Sequence, residues 1–199
     1  MSDLWPGLDG PAIRYISEAP SEAWRHGVRR LVLLGSTGSI GGNTLAAIRS
    51  RRRECEVLGL SCARNIKTLA GQAQEFRPPY LAVLDEASAA GLRKLLPTGY
   101  TPEILVGSQG YARLAALPEA DTVLSAQVGA AGLAGTLAAA LAGKVICLAN
   151  KESLVLAGDM LRQVCARTHA SILPVDSEHN AIFQCLAGRG QEGDRLLLT

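Results

Sequence analysis

The feature of the sequence that most constrains the fold is a regular alternation between short apolar runs and longer helix-like segments. The runs, rich in valine, leucine and isoleucine, are LVLLG, EVLGLS, YLAVLD, EILVG, DTVLSAQ, KVICLA and SILPV. Each is followed by a segment in which apolar residues recur with the spacing of an amphipathic helix. Strands that are apolar throughout and separated by helices are typical of a parallel sheet covered on both faces. We therefore predict an α/β fold with a doubly wound, mostly parallel sheet of about seven strands.

The two ends of the chain do not follow this alternation. Residues 1–28 contain several prolines and glycines without sustained periodicity, so we predict a loosely ordered extension there. The chain ends on RLLLT, residues 195–199, an apolar run that no helix follows. A lone strand cannot satisfy its own backbone hydrogen bonds, and a natural terminus often follows an element instead of interrupting it. We therefore expect that the sequence is cut short.

Composition and charge exclude several classes of protein. Hydrophobic residues make up 48% of the 199 residues and charged residues 19%, which is the balance of a folded domain. The net charge of +2 gives no reason to expect nucleic acid or a membrane as a partner, and no apolar run reaches the roughly 18 residues that span a bilayer. Five scattered cysteines without a CxxC pair, and no secretory signal pattern, predict reduced thiols and a cytoplasmic location.

In an open α/β sheet, ligands bind beyond the carboxyl ends of the strands, so the strand-to-helix junctions are the candidate sites. The first is GSTGSIGGNT, directly after LVLL. Gly35, Gly38 and Gly41 allow a tight turn, close approach of a pyrophosphate and close helix–strand packing, and the hydroxyls of Thr37 and Ser39 suit a phosphate. The spacing is GxxGxxG and not GxGxxG, so a glycine-rich turn without a ligand is the alternative. Its position after the first strong strand favours a Rossmann-like dinucleotide site.

The second junction, LSCARNIK, follows the second run and bears on the choice of cofactor. NAD enzymes place a carboxylate here for the ribose 2′-hydroxyl, whereas an arginine nearby accommodates the 2′-phosphate of NADP. This junction contains Arg64, Asn65 and Lys67 and no carboxylate, so we predict NADPH. The alternative is a solvated basic turn, which is as good an explanation for Lys67.

The third junction is LANKESLV, at the end of KVICLA. Asn150 suits the cap of a helix and Glu152 its first turn, which explains both residues without a ligand. A cation at Lys151 opposes the helix dipole. A charge placed against that local preference indicates a functional role.

The fourth junction is PVDSEHNAIF, at the end of SILPV. Asp176 and Glu178 would point the same way from extended backbone, and two converging carboxylates could hold Mg²⁺ or Mn²⁺. A helix cap with an acidic first turn explains the same residues and is a very common arrangement. Spacing alone leaves both interpretations open and favours the cap.

GSTGSIG, VGAAGL, LANKESLV and PVDSEHNAIF, in that order, resemble the 1-deoxy-D-xylulose 5-phosphate reductoisomerase family. The resemblance extends from about Leu31 to the end of the chain, and LANKESLV and PVDSEHNAIF are its highly specific motifs. It implies an oxidoreductase that uses NADPH and a divalent metal (Mg²⁺, Mn²⁺ or Co²⁺) in non-mevalonate isoprenoid synthesis. The implied reaction rearranges 1-deoxy-D-xylulose 5-phosphate to an aldehyde and reduces it to 2-C-methyl-D-erythritol 4-phosphate.

The resemblance also implies roles for individual residues. The implied cofactor contacts are Thr37, Gly38, Ser39 and Ile40 at the pyrophosphate, Ala63, Arg64 and Asn65 at the 2′-phosphate, and Asn150 and Glu152 elsewhere. The implied metal ligands are Asp176 and Glu178. The implied substrate contacts are Lys151, Ser177 and Glu178, of which Lys151 and Glu178 are also catalytic.

The same resemblance divides the chain. Residues 29–173 become the NADPH-binding domain, and residues 174–199 become the start of a catalytic and metal-binding region. The family's chain continues into a further metal ligand, phosphate-binding residues and a flexible lid, so we expect these 199 residues alone to lack full activity. Family members are usually homodimers that act on a small phosphorylated sugar.

Two other functions remain open at this point. Another NADPH-dependent oxidoreductase, of the semialdehyde or homoserine dehydrogenase type, shares the nucleotide fold but gives no reason for Asp176 and Glu178 after the seventh run. A non-enzymatic NADPH-binding module would not need the missing catalytic region.

Overall fold

The computed structural model of the chain describes residues 20–186, and its centre is a seven-stranded sheet. Every pair of neighbouring strands is parallel, which confirms the predicted fold class. The strands are β1 (Arg29–Leu34), β2 (Cys55–Ser61), β3 (Tyr80–Val83), β4 (Glu103–Val106), β5 (Thr122–Ser125), β6 (Val145–Leu148) and β7 (Ser171–Pro174).

Helices connect successive strands, as the alternation in the sequence predicts. The helices of the described chain are α1 (Glu22–His26), α2 (Ser39–Ser50), α3 (Ile66–Phe76), α4 (Glu86–Leu95), α5 (Gly107–Ala115), α6 (Leu133–Leu141), α7 (Glu152–Thr168) and α8 (Ser177–Leu186), with a 3₁₀ turn at Gly129–Gly132. Side-chain caps mark the starts of α3 and α4, among others. Asn65 accepts a hydrogen bond from the N–H of Thr68 at 3.3 Å, and Asp85 accepts one from the N–H of Ser88 at 2.8 Å. No helix among residues 20–186 is long and apolar enough to cross a membrane.

The strand order places a crevice near the middle of the sheet. Across the sheet the order is β4-β3-β2-β1-β5-β6-β7. The chain therefore starts at the centre, winds outward to β4, and returns to β5 on the other side of β1. The carboxyl ends of β1 and β5 flank this switch point, where open α/β sheets bind their ligands.

Successive residues of β1 show how the sheet divides the core into two layers. Val32 and Leu34 pack into one layer, with Ile146, whereas Leu33 packs into the other, with Leu45. The three β1 residues are fully buried. Because neighbouring side chains in a strand point to opposite faces, a strand covered on both faces has to be apolar throughout. This explains the continuous runs in the sequence.

At the amino end, the described part of the predicted extension includes α1. Trp24 Nε1 donates to Thr122 Oγ1 at 2.7 Å, and the Arg29 guanidinium lies 5.1 Å from the Trp24 ring centroid. Residues 21–27 are thereby attached to the first residue of β5. The remainder of the predicted extension, residues 1–19, and the predicted strand RLLLT both lie outside the described residues.

Candidate nucleotide and metal site

The four junctions identified in the sequence lie along one edge of the sheet. They follow β1, β2, β6 and β7, and the carboxyl ends of parallel strands face the same way. The loop after β5, residues 126–132, lies between the first junction and the third in the order of strands.

Two glycines of the first junction have the packing roles that the sequence predicts. Gly35 has φ +83°, and a Cβ there would lie 2.7 Å from the carbonyl oxygen of Ala126. A Cβ on Gly41 would lie 2.5 Å from the oxygen of Gly35 and 2.5 Å from the Cα of Ser36. A Cβ on Gly38 would meet only the Gly35 oxygen, at 3.5 Å. The turn is thus tightly packed at Gly35 and Gly41, whereas there is space at Gly38.

The predicted pyrophosphate residues lie at the start of α2. Gly38 is the N-cap, no side chain caps the helix, and its first turn has no acidic residue. Gly38, Ser39 and Ile40 are exposed, and Thr37 is half-buried. The first N–H groups of a helix have no partner within it, and they form the positive end of its dipole. The arrangement therefore offers donors and space for a phosphate.

At the end of β2, the structure corrects one inference from the sequence. The choice of NADPH relied partly on the lack of a carboxylate, but Asp85, which follows β3, brings its Oδ2 to 3.8 Å from Arg64 Nε. Hydrogen bonds from the N–H and hydroxyl of Ser88, together with the charge of Arg64, hold the pKa of Asp85 below its usual value. The Arg64 side chain remains 77% exposed. The pair is therefore a weak surface ion pair, and Arg64 is accessible to an anion.

Ala63 and Asn65, the other predicted 2′-phosphate residues, have structural roles in the same turn. The carbonyl of Ala63 accepts from the N–H of Leu84 at 3.1 Å, which ties the end of β2 to the end of β3. Asn65 caps α3, as described above. Both residues are exposed, so these roles leave them accessible to a ligand.

Asn150 is 2% exposed, and its side chain holds the loop after β5 against the start of α7. Its Oδ1 accepts from the N–H of Ser153 at 2.9 Å and from the hydroxyl at 3.0 Å. Its Nδ2 donates to the carbonyls of Gly129, at 2.8 Å, and Gln127. All four hydrogen bonds that an amide side chain can make are therefore in use. Asn150 therefore joins the loop after β5 to the start of α7, and its predicted contact with the cofactor stays a prediction.

The fourth junction is a helix start and not extended backbone. Helix α8 begins at Ser177, and Glu178 lies in its first turn, so the prediction that Asp176 and Glu178 point the same way from a strand is wrong. Asp176 Oδ1 accepts from the N–H of His179 at 3.0 Å and lies 2.6 Å from His179 Nδ1. Burial acts to raise the pKa of Asp176, but the N–H and ring of His179 outweigh it and hold the pKa below its usual value. Asp176 therefore caps α8 as an ionised group.

Glu178 and Lys151 extend this polar cluster. Ser177 Oγ donates to Glu178 Oε2 at 2.8 Å. This bond, a backbone N–H and the charge of Lys151 hold the pKa of Glu178 below its usual value. Lys151 and Glu152 are both exposed at the start of α7. The third and fourth junctions are thus close enough for their charges to interact.

The donor set of this cluster fits a magnesium-like ion. Asp176 and Glu178 are ionised at neutral pH, the state in which carboxylates bind metals. Mg²⁺ is usually bound through one or two carboxylates and keeps several waters. Among residues 20–186, no three His, Cys, Asp or Glu side chains form a metal-binding group, so Asp176 and Glu178 are a candidate pair of ligands and not a complete set.

One contact at the first junction had no counterpart among the predictions from the sequence. Gln72, within α3, donates from Nε2 to the carbonyl of Ser36 at 2.9 Å and accepts from the Ser36 hydroxyl at 2.7 Å. Nothing in the sequence around a half-buried glutamine of an amphipathic helix predicts such a contact. Asp85 was missed at the second junction as well, although its place before EAS predicts its role as a cap.

The fold and the site together define a Rossmann-like α/β protein with an open glycine-rich turn and an acidic cluster at the ligand edge of its sheet. The family model described as 1-deoxy-D-xylulose 5-phosphate reductoisomerase matches residues 31–158. The chain therefore belongs to the 1-deoxy-D-xylulose 5-phosphate reductoisomerase family, and the semialdehyde or homoserine dehydrogenase alternative is wrong.

Relatives with that name match nearly the whole chain. The one from Nitratidesulfovibrio vulgaris (strain DP4) is 59% identical over 189 residues, which are 94% of this chain and 46% of the relative. The one from Lawsonia intracellularis is 56% identical over 176 residues, 88% of this chain and 44% of the relative. The chain spans about half the length of the curated relatives it matches.

Solved structures of reductoisomerases have a fold similar to that of this chain. The reductoisomerase from Zymomonas mobilis in complex with NADPH is 38% identical, with a TM-score of 0.76 over 81% of this chain and 42% of that one. A DOX-P reductoisomerase in complex with NADPH, fosmidomycin and magnesium is 44% identical, with a TM-score of 0.77 over 81% of this chain and 40% of that one.

Proposed function

We propose that this chain forms the NADPH-binding part, and the start of the metal-binding part, of a 1-deoxy-D-xylulose 5-phosphate reductoisomerase. The observation that carries the proposal is the presence, at one sheet edge, of an open glycine-rich turn at Gly38 and an ionised carboxylate pair, Asp176 and Glu178, whose charges interact with that of Lys151. The turn suits a dinucleotide, and the carboxylates suit a divalent cation. A simple nucleotide-binding module would need only the first of these.

Within this proposal, the cofactor lies across the carboxyl ends of β1 and β2. The N–H groups of Ser39 and Ile40, at the start of α2, would bind the pyrophosphate. Arg64 would pair with the 2′-phosphate, since a charge-assisted bond to a guanidinium is among the strongest that a phosphate can form. The related solved structures that contain NADPH support this choice of cofactor.

The substrate side of the site lies at β6 and β7. Asp176 and Glu178 would hold the metal, which when bound polarises a carbonyl oxygen. Lys151 would place a positive charge and hydrogen-bond donors beside the reacting oxygens, and Ser177 would orient Glu178 through the bond between their side chains. We propose a small phosphorylated sugar as substrate. Magnesium and fosmidomycin in the related structures support this side of the proposal.

The remaining expectations for the whole protein are also proposals. We assign residues 29–173 to the NADPH-binding domain and residues 174–199 to the start of the catalytic region. We propose a homodimer in the cytoplasm, without nucleic acid or membrane as a partner. Five scattered cysteines and a net charge of +2 support the location and the absence of a polyanionic partner.

Cofactor titration tests the proposal on the 199-residue chain. We expect the parent chain to bind NADPH well ahead of NADH, and Arg64→Asp to weaken NADPH binding by about 1–3 kcal/mol, the range for a lost charge-assisted contact. Fluorescence titration with both cofactors measures this. Arg53→Asp, at an exposed position beside the opposite end of β2, makes the same change of charge and is the control. Equal affinities of the parent chain for NADPH and NADH would contradict the assignment of Arg64 to the 2′-phosphate.

A second prediction concerns Asp85, which lies beside Arg64. Asp85→Asn keeps the cap of α4 but removes a negative charge 3.8 Å from Arg64. Because the pair is exposed, it contributes little to ordering Arg64, whereas its carboxylate repels a nearby phosphate. We expect NADPH to bind about two- to fivefold more tightly and NADH to be unaffected. Glu86→Gln, one residue further along, is the charge-matched control, and weaker NADPH binding by Asp85→Asn would show that Asp85 instead holds Arg64 in position.

A further inference from the structure

We infer that Gln72 is a positioning residue for the phosphate-binding turn between β1 and α2, an inference that rests on the proposed NADPH site. The amide of Gln72 meets Ser36 twice, since Nε2 donates to its carbonyl at 2.9 Å and Oε1 accepts from its hydroxyl at 2.7 Å. Gln72 belongs to α3, so the contact joins the turn to a neighbouring β–α unit.

Ser61, the last residue of β2, holds the turn from the same unit. Its hydroxyl accepts from the N–H of Gly35 at 3.0 Å, and its carbonyl accepts from the N–H of Ser36 at 2.8 Å. Ser36 and Ser61 are both fully buried. Hydrogen bonds in a buried position are costly to leave unmade, so these contacts limit the conformations of Gly35 and Ser36.

The position of Ser36 determines where the phosphate donors point. The proposed pyrophosphate residues, Thr37–Ile40, follow Ser36 directly, and behind them Gly41 packs against Ser36 without room for a Cβ. If the turn loses the clamp formed by Gln72, it spends less time in the binding conformation, and apparent affinity falls by the same fraction. The 2′-phosphate end, at Arg64, does not depend on this clamp.

The test measures binding at the pyrophosphate end and at the 2′-phosphate end of the nucleotide separately. Gln72→Met keeps the length of the side chain and removes both hydrogen bonds to Ser36. Calorimetric titration of the 199-residue chain compares NADPH with adenosine 2′-monophosphate, which has the 2′-phosphate but no pyrophosphate. We expect about tenfold weaker binding of NADPH and unchanged binding of adenosine 2′-monophosphate. Gln74→Met, at an exposed position of the same helix, is the control and should bind both ligands like the parent.

Each other outcome has a definite meaning. Parental NADPH affinity in Gln72→Met, or an equal loss for both ligands, would overturn the positioning role, because the first shows no effect and the second shows general damage to the fold. Ser36→Ala replaces Gln72→Met if that variant does not fold. It removes the hydroxyl that donates to Gln72 Oε1 at 2.7 Å and lies 3.1 Å from the Ser61 carbonyl oxygen, but it keeps the bond from Gln72 Nε2 to the Ser36 carbonyl, so the same selective but smaller loss is expected. A parent chain that binds no NADPH overturns the proposed function and this inference with it.

Discussion

Replacing Asp176 by asparagine is expected to remove metal-dependent turnover while the fold and the NADPH site stay intact. Asparagine has the same size and caps a helix about as well as aspartate, so it keeps the role that the structure shows for this residue at the start of α8. It removes the negative charge that would hold Mg²⁺ or Mn²⁺ in the proposed site. The proposed metal role therefore predicts a loss of several orders of magnitude in turnover, and Glu178→Gln should have the same effect.

Turnover is measured in a chimaera in which this chain replaces the corresponding part of the 59%-identical relative. Thermal unfolding and NADPH titration check that the cap and the nucleotide site survive. Glu119→Gln, at an exposed position that precedes β5, is the control. Near-parental turnover by Asp176→Asn at saturating NADPH and Mg²⁺ would show that Asp176 is only a helix cap. In the 199-residue chain, we expect weak Mn²⁺ binding by electron paramagnetic resonance, lost in the same variant.

The second large effect is expected at Gly41, and it does not depend on the proposed function. A Cβ on Gly41 would lie 2.5 Å from the backbone of Gly35 and Ser36, whereas a Cβ on Gly42 would meet nothing within 4 Å. Both glycines lie in α2, so alanine favours the helix at either position by about 0.5–1 kcal/mol. We expect Gly42→Ala to stabilise the chain by up to about that amount. Gly41→Ala should lower the free energy of unfolding by about 1–3 kcal/mol, because backbone has to move.

Denaturant unfolding of the two variants measures the difference. The pair is well matched, since the residues are adjacent and the added methyl group is the same. Because the clash at Gly41 pushes on the proposed phosphate-binding turn, Gly41→Ala should also weaken NADPH binding, whereas Gly42→Ala should not. If both variants unfolded at the same denaturant concentration as the parent, the close contact between α2 and the turn would be refuted.

Much of the fold could be read from the sequence because its signals are local. A strand buried on both faces has to be apolar throughout, which made all seven strands visible as runs such as LVLLG and KVICLA. The tight turn at Gly35 and the close packing at Gly41 were visible for a similar reason, since only glycine tolerates them. The four junctions were predicted to share one edge because parallel strands place their carboxyl ends together.

Local patterns in the sequence were thus enough to predict the order of the elements, the edge of the sheet that carries the candidate site, and the family. Which side chains meet at that edge became visible only in the folded chain. It brought Asp85 to Arg64 and Gln72 to Ser36, and it placed Glu178 in a helix near the charge of Lys151. These contacts join different β–α units, so they depend on which strands are neighbours in the sheet and on how each helix is placed along it. Periodicity along one segment identifies the buried face of that segment but not its neighbours.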